Sequence, residues 1–78
     1  MIFQKTPDGL RMAGESLYGK LWQSDLARDL GVSRRMIVYM TAGEKKIPER
    51  QWRYIAALLE QKAQDCKELA KIIISANS

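Results

Sequence analysis

Glycine and proline divide this chain into two unlike parts, and that division limits its possible folds more than any other feature. Up to Pro48 the punctuation is dense: Gly19, Gly31 and Gly43 each follow a short segment with helical apolar spacing. A residue free to take the left-handed backbone ends helices at such places. From Glu49 to Ser78 there is neither glycine nor proline. The pattern predicts short helices followed by one long one. With 78 residues in all, there is room for a single small domain with one modest core.

Local signals place the helices. Thr6-Pro7-Asp8 predicts a helix start, since threonine can cap, proline suits the first helical position and aspartate meets the positive end of the dipole. Leu10, Ala13 and Leu17 then recur at helical steps. Gly9 and Gly14 fall inside this helix and are expected to weaken it, each by about 1 kcal/mol relative to alanine. A second helix is predicted over about 22–30, with Trp22, Leu26, Ala27 and Leu30 on one face. Gly31 ends it, Val32 tucks inward as a staple, and Ser33 caps a third helix over about 33–41. In that helix Ile37 and Met40 fall on one side together with Ser33. Arg35, Val38, Tyr39 and Ala42 fall on the other, with Arg34 at its flank. Packing Ile37 and Met40 on the second helix would turn two arginines, a tyrosine and a valine outward, which makes this a candidate binding face.

The last helix is predicted to start at Pro48-Glu49. Trp52, Ile55, Leu59, Cys66, Leu69 and Ile73 form a stripe with roughly heptad spacing, widened by Ala56, Ala63 and Ala70. Its first half should cover the core. Its second half, about 63–74, exceeds what so small a domain can bury alone. It would either break near 61–65 and fold back as a fifth helix, or pair with the same surface on a second subunit. Pairing, through Cys66, Leu69, Ala70 and Ile73, is the favoured expectation.

Charge and composition narrow the function. A hydrophobic fraction of 46% with 28% charged residues describes a globular chain, not a disordered one. The formal charge is +4, and between Arg34 and Arg53 there are six basic and two acidic residues. That local excess equals the charge of the whole chain, so basicity gathers around the third helix and the turn after it. The chain has no histidine and a single cysteine, Cys66. No internal disulfide, zinc cluster, catalytic triad or glycine-rich phosphate cradle can be built from it. Neither enzymatic activity nor a metal or cofactor is expected. The amino end lacks the apolar core of a signal peptide, and no run approaches the roughly 20 apolar residues that span a bilayer. A cytoplasmic protein is expected. Trp22 and Trp52 read as structural residues, and Cys66 as a small hydrophobe on the last helix.

Gln23-Ser24-Asp25-Leu26-Ala27-Arg28-Asp29-Leu30-Gly31-Val32-Ser33 followed by Ile37 resembles the helix-turn-helix of the phage Cro and repressor family. Ala27 is small where the two helices would cross, Gly31 makes the bend, and Val32 and Ile37 wedge the second helix against the first. The resemblance covers about 8–60 and implies an all-α, lambda-repressor-like domain of four or five helices, with the motif over about 22–42. It assigns Gln23 to a DNA phosphate, and places Ser33, Arg34 and Arg35 at the start of the recognition helix, where side chains point at base edges. Arginine holds guanine through two parallel hydrogen bonds. Val38 and Tyr39 occupy the next turn, where the family more often carries Asn, Gln, Lys or Arg. Valine there could meet a thymine methyl, and the tyrosine hydroxyl a phosphate or base. Lys45, Lys46 and Arg50 stand where phosphate clamping is expected, with Arg53 beside them.

The function so implied is sequence-specific binding of double-stranded DNA by a homodimeric transcriptional regulator, with repression the expected mode. Small stand-alone proteins of this kind resemble regulators of phages and mobile elements, antitoxins, and repressors of anti-CRISPR operons. The alternative is a protein-interaction module, with the helix pair as scaffold and the Arg35, Val38, Tyr39 face and terminal stripe as contacts.

Overall fold

The computed structural model describes residues 3–76. Met1, Ile2, Asn77 and Ser78, which the single-domain expectation also includes, lie outside the described residues. The chain is all-helical, with four helices and no strand among the described residues: α1 (Pro7–Tyr18), α2 (Trp22–Leu30), α3 (Arg34–Thr41) and α4 (Glu49–Ala76).

α1 and α3 begin, and α2 ends, on the chemistry their sequence supplies. Thr6 Oγ1 accepts a hydrogen bond from the Gly9 amide at 3.2 Å, with Pro7 opening α1. At the end of α2, Gly31 is left-handed (φ 71°, ψ 29°). The Val32 amide donates to the Ala27 carbonyl at 3.0 Å and the Gly31 amide to the Arg28 carbonyl at 3.2 Å. These paired bonds satisfy carbonyls a helix end would otherwise leave open. Ser33 precedes α3 as its cap rather than forming its first turn, and its hydroxyl oxygen accepts from the Met36 amide at 3.1 Å. The expected grouping of Ser33 with Ile37 and Met40 therefore fails: Ser33 is exposed while the other two are buried. An extended cap residue leaves the helical wheel on which that grouping was drawn.

The core lies where α1, α2, α3 and the first half of α4 meet. Leu10, Leu26, Ile37 and Ile55 are its fully buried large side chains, each contributing about 1.5–3 kcal/mol by leaving water. Trp22 and Trp52 are buried too, and Phe3 meets Trp52 edge-on with ring centroids 5.6 Å apart. Ile47, in the loop before α4, completes the floor. α2 packs on α1, α3 and α4 at once, and Gly14 of α1 is what lets it approach. A Cβ there would stand 2.2 Å from Trp22 Cε3.

The long helix is continuous from Glu49 to Ala76, so the break near 61–65 and the fifth helix do not occur. Side-chain bonds from Gln61 to Asp65 at 3.0 Å and from Gln64 to Glu68 at 3.1 Å bridge that region. At 1.5 Å per residue α4 is about 42 Å long, which makes the molecule 52 Å in its longest dimension against 26 and 20 Å in the others. Only its first half covers the core; every residue from Glu60 to Ala76 is exposed. Lys62 marks the transition. Its ammonium donates to the carbonyls of Ser16 at 2.6 Å and Leu17 at 2.7 Å, closing the C-terminal end of α1 where a cation meets the negative end of the dipole.

Gln51 is the buried polar residue of the core side of α4, and its Oε1 has no hydrogen-bond partner. A buried acceptor left unpaired costs about 1–3 kcal/mol. Gln51→Met, which keeps the length and removes the acceptor, is expected to raise stability by about 1 kcal/mol. Chemical denaturation checks it; an unchanged or lowered midpoint refutes the assignment.

A second polar contact ties α1 to α2. The Tyr18 hydroxyl donates to Asp29 Oδ2, and Arg28 bonds the other Asp29 oxygen at 3.4 Å. The tyrosine bond, assisted by Arg28, holds the Asp29 carboxyl below the usual range against some loss of hydration. Burial first, then the carboxylate, pushes the Tyr18 phenol well above its ordinary value. Asp29 thus contributes stability above its ordinary pKa that is lost as pH falls through the lowered one. Tyr18 contributes stability below its ordinary pKa that is lost as pH rises through the raised one. Because Asp29 is exposed and Tyr18 only partly buried, the contribution is about 1 kcal/mol or less. Melting temperatures of the native chain and Tyr18→Phe are expected to differ most between about pH 5 and 9 and to converge outside that window. A constant difference across pH would rule out this linkage.

Candidate nucleic-acid interface

Rigid attachment of α3 governs what its outer face can do. Ile37 and Met40 are buried against the core, so the opposite side of the same two turns cannot turn inward. Arg34 and Arg35 are both exposed at the first turn, Val38 is 39% exposed, and Tyr39 is half-buried. Tyr39 can therefore pack with part of its ring and still offer its hydroxyl. Ser33 sits beside the arginines, its oxygen already accepting the cap bond.

Gln23 and Arg34 come together. Arg34 Nη2 donates to Gln23 Oε1 at 3.5 Å, a long contact between exposed groups that links the start of α2 to the start of α3. Both line a cleft of about 390 Å³ with Lys20, Leu21, Ser24 and Asp25. No side chain caps the start of α2, so its first amides face that cleft's end of the helix, where the dipole favours anions. Asp25, the cleft's one acid, is bound to Arg28 at 3.1 Å. Arg28 in turn is held in its charged form by Asp29 and Asp25. The cleft thus sets two cations, Lys20 and Arg34, beside the uncapped start of α2.

On the other side of α3, the turn after it is folded back by backbone bonds. The Glu44 and Lys45 amides both donate to the Tyr39 carbonyl, at 2.9 and 3.3 Å. This holds Lys45 and Lys46 beside the C-terminal end of α3. They line a cleft of about 360 Å³ that also includes Lys5, Gly43 and Glu49. Lys5 forms an ion pair with Glu49, which keeps the Glu49 carboxyl below the usual range. Arg50 is not part of that cluster. It lines a separate shallow cleft with Arg53, Tyr54 and Ala57 on the outer face of α4.

Two basic residues at these clefts, Lys20 and Lys5, were not singled out from sequence. Lys20 could have been found as the cation just before α2. Lys5 reaches its cleft only through a partner 44 residues away along the chain. Leu21, 87% exposed at the lip of the first cleft, carried no signal either. Of the residues expected to form a pairing surface, Cys66, Leu69, Ala70 and Ile73 are all exposed on α4, away from the interface just described. No described helix is long and apolar enough to cross a membrane. No family model, curated protein or solved structure matches the chain.

Proposed function

We propose that this protein binds double-stranded DNA in a sequence-specific way and regulates transcription, with repression as the mode. α2 and α3 act as a helix-turn-helix of the Cro and repressor kind, α3 entering the major groove while α2 lies across the backbone. One observation carries the reading: Arg34 and Arg35 stand exposed on the first turn of a helix whose other side is locked into the core. Arg35 and Arg34 read base edges, and Val38 meets a thymine methyl. Gln23, Lys20 and the open start of α2 hold one phosphate, and Lys45 and Lys46 hold others on the far side of α3. Arg50 reaches the backbone at the edge of this footprint. Ser33 contributes as the cap that orients the arginines and can still donate its hydroxyl proton. As a homodimer the protein reads a near-palindrome with half-sites about 10 base pairs, or a multiple, apart.

The test is selection of bound duplexes from a randomised pool at near-physiological salt. An enriched motif with two related halves about one helical turn apart supports the whole reading. An unpaired half-site keeps the DNA function and removes the dimer. Absence of enrichment in a folded sample would instead favour the α3 face, with its exposed Val38, as a protein-binding surface.

A further inference from the structure

The outer half of α4 carries an apolar stripe that the molecule itself does not use. Ala63, Cys66, Leu69, Ala70, Ile73 and Ala76 share the side of the helix that, one half earlier, buries Trp52 and Ile55 in the core. Beyond Lys62 there is no core beneath it, and Leu69 and Ile73 remain 56% and 53% exposed. We propose that this overhang, residues 63–76, pairs antiparallel with the same segment of a second copy of the chain, with the two-fold axis passing between Leu69 and Ala70. The inference supplies the pairing that the two-half-site reading requires, but its observations lie on α4 and it stands whether or not α3 binds DNA.

Two features select a second copy and its direction. The first is shape. The two large side chains of the stripe, Leu69 and Ile73, both lie outward of Ala63 and Cys66, with Ala70 between them and Ala76 beyond. An antiparallel pair sets Cys66 of one copy against Ile73 of the other and Leu69 against Ala70, so large meets small through the middle of the interface, with Ala63 against Ala76 at its two ends. A parallel pair would set large on large and leave a gap around Ala63 and Cys66, and gaps and overpacking both cost stability.

The second is charge. From Glu60 onward Lys62, Lys67 and Lys71 balance Glu60, Asp65 and Glu68, so the overhang is neutral and the formal +4 resides in the body. A parallel pair would bring two basic bodies side by side and Lys62 against its own copy. The antiparallel pair puts the bodies at opposite ends, roughly 40 Å apart along the helices at 1.5 Å per residue. That is the scale of one turn of duplex DNA, about 34–36 Å. The six residues of the stripe face the partner on each side, about a quarter of the 20–30 in a standard interface. So small an interface makes a weak, reversible pair, stabilised wherever both bodies are held on one ligand.

Sedimentation equilibrium of the full chain without DNA, from roughly 1 µM to several hundred micromolar, is expected to show a monomer–dimer equilibrium. Ile73→Lys is expected to stay monomeric throughout with an unchanged low-concentration melting temperature, because the overhang adds nothing to the core. Oxidation then reads the direction. In the antiparallel pair the two Cys66 lie about 10 Å apart along the axis, beyond the roughly 7 Å between Cα atoms that a disulfide can bridge. The native chain should thus give no covalent dimer, and Ile73→Cys should give one by joining Cys66 to the introduced thiol of the other copy. A chain that is monomeric at every concentration overturns the pairing. Ready cross-linking of the native chain through Cys66, or none in Ile73→Cys, overturns the antiparallel register.

Discussion

Gly14→Ala is expected to remove about half of the stability of this domain, although the same change at an exposed helical site would stabilise it. A methyl group at Gly14 would sit 2.2, 2.5 and 2.9 Å from three carbons of the Trp22 indole, well inside the distance at which carbon atoms repel. The ring has little room to yield, since Trp22 is 4% exposed and opens α2 within the core. Forcing a methyl into a packed interior costs about 1–3 kcal/mol and at times more. The roughly 1 kcal/mol that alanine contributes to a helix over glycine offsets part of this. Against the roughly 3–5 kcal/mol a core this small supplies, the 2.2 Å approach puts the net loss at the upper end of these figures, about 2 kcal/mol, which lowers the melting temperature by about 8–16 °C. Ser16→Ala, on the exposed side of α1, is the control and should raise stability slightly. Trp22→Leu should make the two sites non-additive, because a smaller side chain leaves room for the methyl. Equal or greater stability of Gly14→Ala, measured by urea denaturation, would refute the close approach.

The same residue shows where sequence reading stops. Helix limits were legible because caps are local: Thr6 and Pro7, Gly31 and Ser33 act on amides and carbonyls within five positions of themselves. The core face of α3 was legible for a similar reason, since Ile37 and Met40 declare it by spacing alone. Gly14 read only as a weak point in α1, because its value lies in a ring eight residues further on that packs across from it. Ile47 gave no periodic signal from a loop, yet it is buried. Tyr18 with Asp29 and Lys62 with the end of α1 join residues 11 and about 45 positions apart, pairings that no local pattern announces. The candidate site divides the same way. Arg34 and Arg35 were candidates from their place on α3 and Gln23 only through the resemblance, whereas Lys5 entered through tertiary packing and Arg50 turned out to face another cleft. Whether α4 would break was open from sequence, since a run without glycine or proline permits a straight helix without requiring it. Its continuity is what lifts the outer stripe clear of the core.

If α3 reads bases, Arg35→Ala and Lys45→Ala must fail in different ways, and the difference is the strongest check on the proposed function. Arg35 is exposed on the first turn of α3, where a guanidinium can span the two acceptors of a guanine. Its removal is expected to cost about 1–3 kcal/mol on the preferred sequence, about 5- to 150-fold in affinity, with a much smaller loss on random DNA. Preference should relax at one base pair of each half-site and stay unchanged elsewhere. Lys45 sits in a turn anchored to the Tyr39 carbonyl, beyond the C-terminal end of α3. Lys45→Ala should weaken preferred and random sequences alike, and lower the slope of log affinity against log salt by about 1 for each phosphate it no longer neutralises. Both side chains are exposed, so both variants should melt with the native chain, which separates a binding defect from a folding defect. Titrations of both variants on preferred and scrambled duplexes at several salt concentrations give all four quantities. Equal losses on both duplexes for Arg35→Ala would remove it as a base reader and leave α3 bound to the backbone without specificity. An unchanged salt slope for Lys45→Ala would move the phosphate clamp to Lys46 and Lys5, the other two cations of the same cleft.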